Sequence, residues 1–295
     1  MPIGKVVLVW AEYVPDYEQE FVEELCREQD FYDTIEIVKE TPTDPTVRCI
    51  YVLNYWSNEH PSYGSLYNKP YGLLYLGDEM LADKMDQYVN DTKCIFIWRQ
   101  YVHPRYFDNK KIFQLPCAYK KGFGSVPPSG VEKDLLWSFA GARHANRNVA
   151  LDTLKAVVPH HVHETPPESF NHVDGLSTAD YRKLCERSKY IVCPTGKFSM
   201  ECSRLYECLE AGSIPITIAN SQQISVNPSY HHAVFPPAVD GGEIPFIIGK
   251  TWDDCKSFIE KNRDPVKRTQ QCREYWTKCK QYWNTRLHEH ALQLF

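Results

Sequence analysis

The sequence predicts an α/β protein built from two Rossmann-like domains, each with a parallel sheet. Short apolar runs alternate with helical stretches along both halves of the chain, a pattern typical of parallel sheets covered by helices on both faces. Residues 122–130 are rich in Gly, Pro and Ser and separate the halves as a linker. Residues 253–294 are largely helical by pattern.

The N-terminal half begins with the apolar run Val6–Trp10, which predicts the first strand. Helices are predicted over Pro15–Gln29 and Glu79–Tyr88. The further predicted strands are Thr34–Val38, Cys49–Leu53, Tyr71–Leu76, Cys94–Trp98 and Ile112–Leu115.

The C-terminal half shows the same alternation. A strand over Leu135–Phe139 is followed by a turn, Gly141–Arg147, and a helix over Val149–Val157. The remaining predictions are the strands His160–Glu164, Tyr190–Cys193 and Ile214–Ile218, the helices Ser177–Arg187 and one from Glu201 or Ser203 to Gly212, and the apolar runs Ala233–Phe235 and Phe246–Ile248.

Composition excludes several classes of protein. A net charge of −5 on 295 residues argues against a nucleic-acid-binding protein, which needs a basic surface. No apolar run reaches the roughly 18 residues of a membrane span, and the N-terminus is typical of a first strand rather than of a signal peptide. We therefore expect a cytoplasmic protein. Its eleven cysteines, an odd number without CxxC spacing, indicate reduced and buried thiols.

The segment Tyr190–Ile218 combines a buried strand, a loop with Thr195 and Gly196, a helix and a second strand. In such sheets ligands bind at the carboxyl ends of strands, against helix N-termini. Arg204 and Glu207 lie three positions apart on this helix, so both can face one crevice. An arginine suits a diphosphate and a carboxylate suits the ribose hydroxyls, which predicts a nucleotide-diphosphate site. The alternative is a weakly stabilising i,i+3 ion pair on the surface.

This segment resembles the donor-binding region of the exostosin-like family of inverting glycosyltransferases. The residues that carry the resemblance are Cys193–Pro194, Ser203–Arg204, Glu207, Ala211–Gly212 and Ile214–Pro215–Ile216. The stretch Trp137–Arg147 and the helix that follows it look most like the xylosyltransferases of the family. The resemblance covers roughly the C-terminal half of the chain and is weak over the first hundred or so residues.

The resemblance implies the GT-B fold, with two facing Rossmann-like domains and a central cleft. Residues 1–125 would form the acceptor-side domain, residues 131–270 the nucleotide-sugar donor domain, and residues 271–295 a helix that packs back towards the first domain. The implied partners are a UDP-sugar, with UDP-xylose as the first expectation, and an oligosaccharide or glycoprotein acceptor. Glucuronic acid, galactose and N-acetylglucosamine stay open as donor sugars. The implied donor ligands are Ser203, Arg204, Glu207, Thr195 and Gly196.

A second candidate for donor binding lies in the stretch Trp137–Arg147. A strand that ends in Ala-Gly allows a helix N-terminus to approach closely, and Arg143 and Arg147 can both reach an anion beside Gly141. The family has a similar glycine turn with a downstream arginine. The alternative is an ordinary strand-to-helix turn with solvated arginines.

Candidate bases and acceptor ligands lie in the N-terminal half. Asp78 and Glu79 follow a predicted strand, where a carboxylate could remove the proton of an attacking hydroxyl; Glu12 is a competing base. The alternative for Asp78 is a helix N-cap. The acceptor-binding candidates are Arg99, Tyr101 and His103, an arginine with nearby aromatic residues that suits a sugar face or a phosphate.

We expect no metal cofactor. Histidines cluster at His160, His161 and His163 and at His231–His232, but no HExxH motif accompanies them, and the acidic pair Asp253–Asp254 is better placed as a helix N-cap than as a metal ligand. Arginines and a helix dipole would stabilise the departing diphosphate instead.

Two rival functions belong to other classes. The many Tyr and Trp residues also suit a nucleotide- or carbohydrate-binding protein without turnover. A thiol hydrolase based on Cys193 and a histidine is the other rival, although the adjacent Pro194 and the buried strand disfavour a reactive thiolate.

Overall fold

The computed structural model of the chain describes residues 5–10, 14–27, 36–54, 69–79, 85–101, 104–106, 108–124, 130–166, 174–196, 201–219, 231, 234–236 and 243–295. The chain divides into two compact units. Unit 1 comprises Met1–Pro116 and Lys280–Phe295, and unit 2 comprises Cys117–Cys279. The domain boundaries predicted from the sequence stay a prediction.

Unit 1 contains a parallel sheet of six strands in the order β2-β1-β3-β4-β5-β6. Every residue of β1 and β4 is buried, as expected for strands with helices on both faces. The strands are β1 (Val6–Trp10), β2 (Glu36–Val38), β3 (Arg48–Asn54), β4 (Tyr71–Leu76), β5 (Cys94–Arg99) and β6 (Ile112–Gln114), with the helices α1 (Gln19–Arg27) and α2 (Asp86–Val89).

Unit 2 contains a parallel sheet of five strands in the order β11-β10-β9-β7-β8. The strand order reverses between β7 and β9, and in sheets of this type ligands bind outside the carboxyl ends of the strands at that reversal. The strands are β7 (Leu135–Ala142), β8 (His160–Thr165), β9 (Ser188–Val192), β10 (Ile214–Ile218) and β11 (Ile247–Gly249).

Before the long C-terminal helix, the helices in the described part of unit 2 are α3 (Ala145–Leu154), α4 (Thr178–Arg187), α5 (Ser203–Glu210) and α6 (Trp252–Lys261). The turn predicted over Gly141–Arg147 is wrong at both ends, because β7 continues through Ala142 and α3 already contains Arg147. Gly141 pairs with Glu164 of β8, so the small residues that end β7 belong to the sheet. The N-cap of α6 is Thr251 rather than Asp253, and Asp254 completes its capping box.

The predicted C-terminal helical region consists of α6 and a long helix, α7 (Val266–Leu292). Pro265 precedes α7, and a proline cannot continue a preceding helix. Within unit 1, Asn284 of α7 donates a hydrogen bond to the Leu25 carbonyl oxygen at 2.5 Å, and Trp98 Nε1 donates one to His290 Nδ1 at 2.8 Å. Among the helices of the described ranges, none is long and apolar enough to cross a membrane.

Candidate functional site

The candidate site lies in unit 2, where β7 and β9 end side by side. The backbone of Ala140–Ala142 forms the end of β7, and Cys193 and the residues after it follow β9. The helix α5 begins at Ser203 with its N-terminus beyond a loop that leaves β9. The site predicted from Tyr190–Ile218 therefore lies at the reversal in strand order, the position at which ligands bind in such sheets.

Arg204 is held against the end of β7. Its Nε and Nη2 donate hydrogen bonds to the Ala140 carbonyl oxygen at 3.2 and 2.7 Å. The guanidinium lies 4.6 Å from the centroid of the Phe139 ring, in a cation–π arrangement. Among the described residues, none offers a hydrogen-bond acceptor to the buried Nη1. One face of the guanidinium is thus fixed by the protein, while a buried donor is left for another group.

Gly141 allows two arginines to approach the same piece of backbone. Its φ is +138°, and a Cβ built there would lie 2.7 Å from Arg204 Nη2 and 3.8 Å from Arg147 Nη1. Arg147 Nη1 donates a hydrogen bond to the Ala142 carbonyl oxygen at 3.0 Å. A residue with a side chain would therefore displace Arg204 as well as strain the backbone. The predicted residues Gly141, Arg147 and Arg204 lie together.

Glu207 is buried and does not pair with Arg204. Its exposed fraction is 8%, and of the ion pairs in the described part of the chain none joins these two residues. The alternative interpretation as a surface ion pair is therefore wrong. The backbone N–H of Lys120 hydrogen-bonds the carboxylate. Burial raises the pKa of Glu207, and the Arg204 charge and the Lys120 N–H offset part of that shift.

The other predicted donor ligands lie close to α5 or β9. The Ser203 hydroxyl is 3.3 Å from the Cys117 thiol, so it already has a partner within the protein. Thr195 is buried and Gly196 is half-buried, both just beyond the end of β9. Residues 197–200, which connect them to α5, lie outside the described residues.

Arg143 lies apart from this group. Its guanidinium donates hydrogen bonds to Asn148 Oδ1 at 3.1 Å, to Glu164 Oε1 at 3.0 Å and to Asp152 Oδ1. It pairs with the two carboxylates, and these contacts raise its pKa further above the usual arginine range, with the Asp152 hydrogen bond as the largest cause. Two of the three arginines predicted for donor binding therefore converge, and the third forms ion pairs near the surface.

In unit 1, Asp78 and Arg99 form an ion pair in which neither side chain is exposed. Arg99 also lies 5.6 Å from the centroid of the Tyr75 ring. The pair thus joins a predicted base to a predicted acceptor ligand at the carboxyl ends of β4 and β5. The pair is needed for the stability of the fold, because removal of either partner would leave the other charge buried and unpaired, which is strongly destabilising.

The remaining candidates of unit 1 are only partly described. Glu79 follows Asp78 and is half-buried, and Tyr101 follows β5 with a φ of +51°. Glu12 and His103 lie outside the described residues. So do residues 80–84, on which the N-cap alternative for Asp78 depends.

Sequence reasoning missed Glu201 as a functional candidate. It is 1% exposed, and its carboxylate accepts hydrogen bonds from the Cys117 backbone N–H at 2.9 Å and from the Tyr206 hydroxyl. It therefore anchors the start of α5, the helix that carries Arg204. An acidic residue just before a helix gives no signal of such a role, because both partners are set by tertiary structure.

The histidines and cysteines have structural partners. His160 stacks on Trp137 with ring centroids 4.6 Å apart, and His163 contacts the Asp174 carbonyl oxygen at 2.8 Å. No group of three potential metal ligands occurs among the described residues. All eleven cysteines are free thiols and all but Cys202 are buried, as predicted. Burial raises the pKa of Cys202 to about 11, so this thiol at the start of α5 is protonated at neutral pH.

The RXYLT1 C-terminal domain family matches residues 144–293, just over half of the chain and a range that includes Arg147, Arg204 and Glu207. The chain belongs to this family. No curated protein sequence matches it. The family match agrees with the exostosin-like resemblance identified in the donor-binding segment.

Two solved structures have similar folds to this member of the RXYLT1 C-terminal domain family. A DNA-modifying β-glucosyltransferase has a TM-score of 0.50 and 7% identity, over 97% of this chain and 99% of that one. An α1,3-fucosyltransferase has a TM-score of 0.48 and 13% identity, over 91% of this chain and 81% of that one. The likeness to the first shows the fold alone. The fold class is GT-B, as predicted, and the family and fold are those of glycosyltransferases.

Proposed function

We propose that the chain is an inverting, metal-independent glycosyltransferase that moves a sugar, with xylose as the first choice, from a UDP-sugar to a hydroxyl of a glycan acceptor. The family and the fold support glycosyl transfer. The resemblance of Trp137–Arg147 to xylosyltransferases of the exostosin-like family supports the sugar and the stereochemistry. The acceptor is an oligosaccharide or a glycoprotein.

The single observation that carries the proposal is the buried Nη1 of Arg204 beside Gly141. Arg204 is oriented by two hydrogen bonds to Ala140, and Arg147 reaches the same strand end. Burial opposes the positive charge of Arg204, but the interactions with neighbouring acidic groups outweigh it and keep the pKa of Arg204 above its usual range. Two fixed cations at the carboxyl end of β7 suit a diphosphate.

In the proposed reaction the oxygen of an acceptor hydroxyl attacks the anomeric carbon of the donor sugar. The bond between that carbon and the diphosphate oxygen breaks, and its electron pair leaves with UDP. Arg204 and Arg147 stabilise the charge on the leaving group, which is the main contribution that fixed donors make to such a step. The proton of the attacking hydroxyl passes to a carboxylate.

Glu79 is our first choice for that carboxylate among the described residues. The neighbouring Asp78 is fully buried against Arg99, whereas Glu79 is half-buried directly after it. Glu12 stays a candidate from the sequence. Tyr101 is our first choice as an acceptor-binding residue, because the Arg99 side chain is fully buried and cannot contact a sugar.

The test is a panel of thermal melts with UDP, GDP and UDP-linked xylose, glucuronic acid, galactose and N-acetylglucosamine, with EDTA or manganese. A ligand that binds only the folded state raises the melting temperature by mass action. We expect UDP to raise it in the presence of EDTA, and one UDP-sugar to raise it further. The absence of any shift with every nucleotide would contradict the proposal.

Turnover separates the transferase from the rival binding protein. Release of UDP from the preferred UDP-sugar, dependent on an added glycan, is expected to continue in EDTA. If the UDP-sugar bound but released no UDP with any acceptor mixture, the non-catalytic interpretation would be favoured. Turnover that is abolished by EDTA and restored by manganese would contradict the metal-independent mechanism.

A further inference from the structure

Gln100 follows β5 in unit 1, and its side-chain amide joins three separate parts of that unit. It is 1% exposed. Its Oε1 accepts a hydrogen bond from the Gly77 backbone N–H at 2.9 Å, and its Nε2 donates one to Glu18 Oε1 at 2.8 Å and a longer one to the Pro116 carbonyl oxygen at 3.4 Å. The N–H needs an acceptor and the carboxylate needs a donor, so the two ends of an amide match their partners.

The turn after β4 is held by two consecutive residues at the end of β5. Arg99 donates a hydrogen bond to the Asp78 carboxylate, and Gln100 accepts one from the N–H of the preceding residue, Gly77. Gly77 has a φ of +77°, a conformation that glycine adopts without strain. The chain that leads into Glu79, the proposed base, is therefore fixed at both residues before it.

A catalytic base has to lie within hydrogen-bond reach of the hydroxyl that it deprotonates. A misplacement of about 1 Å can lower the rate about a hundredfold. An amide that only stabilised the fold would affect the free energy of unfolding and leave the reaction of the bound substrate unchanged. An amide that positions the base would affect kcat, and it would leave untouched the affinity for UDP, which we assign to unit 2.

We propose that Gln100 is the positioning residue of the proposed base. It acts through the Gly77 N–H on the turn that carries Glu79, and the Glu18 carboxylate fixes its amide by binding Nε2, which directs Oε1 to Gly77. Gln100 itself is buried and touches no substrate. This inference rests on the proposed function, and it adds Glu18 and Gln100 to the residues on which transfer depends.

The first test is the steady-state kinetics of Gln100→Met, which keeps a long side chain but loses both strong hydrogen bonds of the amide. We expect kcat to fall about tenfold to a hundredfold, with UDP affinity by calorimetry unchanged. The matched control is Tyr71→Phe, at the other end of β4, which loses the hydrogen bond from the Tyr71 hydroxyl to Asp91 Oδ2 at 2.8 Å. It should keep the kcat of wild type. An unchanged kcat in Gln100→Met, or an equal loss in both variants, would overturn the proposal.

The second test is the pH profile of Gln100→Glu. A neutral carboxyl group reproduces the amide, because its carbonyl oxygen can accept from Gly77 and its O–H can donate to Glu18. An ionised one would face the Glu18 carboxylate, and two carboxylates this close hold a proton between them until the pH is raised. The kcat of the variant relative to wild type should therefore be highest at about pH 5.5 and fall towards the Gln100→Met value at about pH 8. A ratio that does not change with pH would overturn the proposal.

Two further measurements separate this inference from the proposed function. Thermal melts at each pH establish that every variant is folded at the assay temperature. Glu79→Gln should lower kcat at least as much as Gln100→Met; full activity of Glu79→Gln would show that the base is elsewhere and overturn the inference alone. Failure of wild type to bind UDP and to transfer any sugar would overturn the proposed function itself.

Discussion

The carbonyl oxygen of Ala140 accepts two hydrogen bonds from the guanidinium of Arg204, one from Nε and one from Nη2. This oxygen lies near the end of β7, so the sheet fixes the position of the guanidinium. A planar guanidinium can bind a backbone oxygen with one edge and a ligand with another. The ammonium of a lysine cannot reproduce this geometry.

Arg204→Lys and Arg204→Ala are both expected to weaken UDP binding by about tenfold to a hundredfold, the effect of losing a hydrogen bond between charged groups. Titration calorimetry gives the affinities directly. Arg143→Ala is the matched control, because Asp152 and Glu164 engage that guanidinium. If Arg143→Ala weakened UDP binding as much as Arg204→Ala, the assignment of the diphosphate to Arg204 would fail.

Gly141→Ala is expected to lower both stability and UDP affinity. The new Cβ would lie 2.7 Å from Arg204 Nη2, on a backbone with a φ of +138°. A residue other than glycine forced into such a conformation lowers the unfolding free energy of the protein by about 1–3 kcal/mol. Urea unfolding and UDP titration measure the two effects.

Gly130→Ala separates backbone strain from the collision. Gly130 has a φ of +65°, but a Cβ built there meets nothing within 4 Å. We expect this variant to lose about 1 kcal/mol of stability from strain and to keep its UDP affinity. Equal UDP affinities in the Gly130 and Gly141 variants would contradict the proposed contact.

The buried pair of Asp78 and Arg99 predicts strong coupling between the two residues. Asp78→Leu or Arg99→Met alone should reduce the unfolding free energy by about 3–5 kcal/mol, because each leaves a buried charge unpaired. The double variant should recover most of that loss. Denaturant unfolding of the four proteins gives the coupling energy, and additive losses would contradict it.

The same double variant tests the catalytic role of Asp78. A folded double variant that still transfers sugar would exclude Asp78 as the base and leave Glu79 and Glu12. A folded but inactive one, with unchanged UDP affinity, would place a group essential for transfer in the Asp78–Arg99 pair.

We expect the free energy of unfolding to fall in mild acid because His290 is buried. Burial, followed by the charge of Arg286, lowers its pKa to about 4. Below pH 6.5 the unfolded chain binds a proton that the folded protein does not, so stability falls as the pH drops from about 6.5 to 4. The loss reaches up to about 3 kcal/mol for this one group.

Urea unfolding at several pH values between 7.5 and 4 tests this expectation. His290→Asn keeps an acceptor for Trp98 Nε1 but removes the titrating ring, so its stability should depend less on pH in this window. His161→Asn, at an exposed position, is the control and should behave as wild type. A pH dependence that is the same in both variants would contradict the role of His290.

Much of the fold was predictable because buried strands have a strong local signal. The strands β1, β4 and β10 have the predicted bounds, since nearly every residue in them is apolar. The end of β7 was not predictable from apolar runs, because Ala140, Gly141 and Ala142 are small and pair with β8 through the backbone.

The candidate site was predictable only in part, for the same reason. The spacing of Arg204 and Glu207 places both on one short helix, which a sequence shows directly. The partners of Arg143 and the pairing of Asp78 with a residue 21 positions away depend on tertiary contacts. No local pattern contains that information.

Unit 1 is discontinuous along the chain, because Lys280–Phe295 belongs to it and the whole of unit 2 is inserted before that segment. During synthesis, unit 1 stays incomplete until the C-terminal part of α7 has been made, after every residue of unit 2. Trp98 has to remain without the His290 acceptor until 192 more residues have been added. The unit that begins first is therefore the one that finishes last, and the apolar surface that Lys280–Phe295 covers within it stays exposed until synthesis ends.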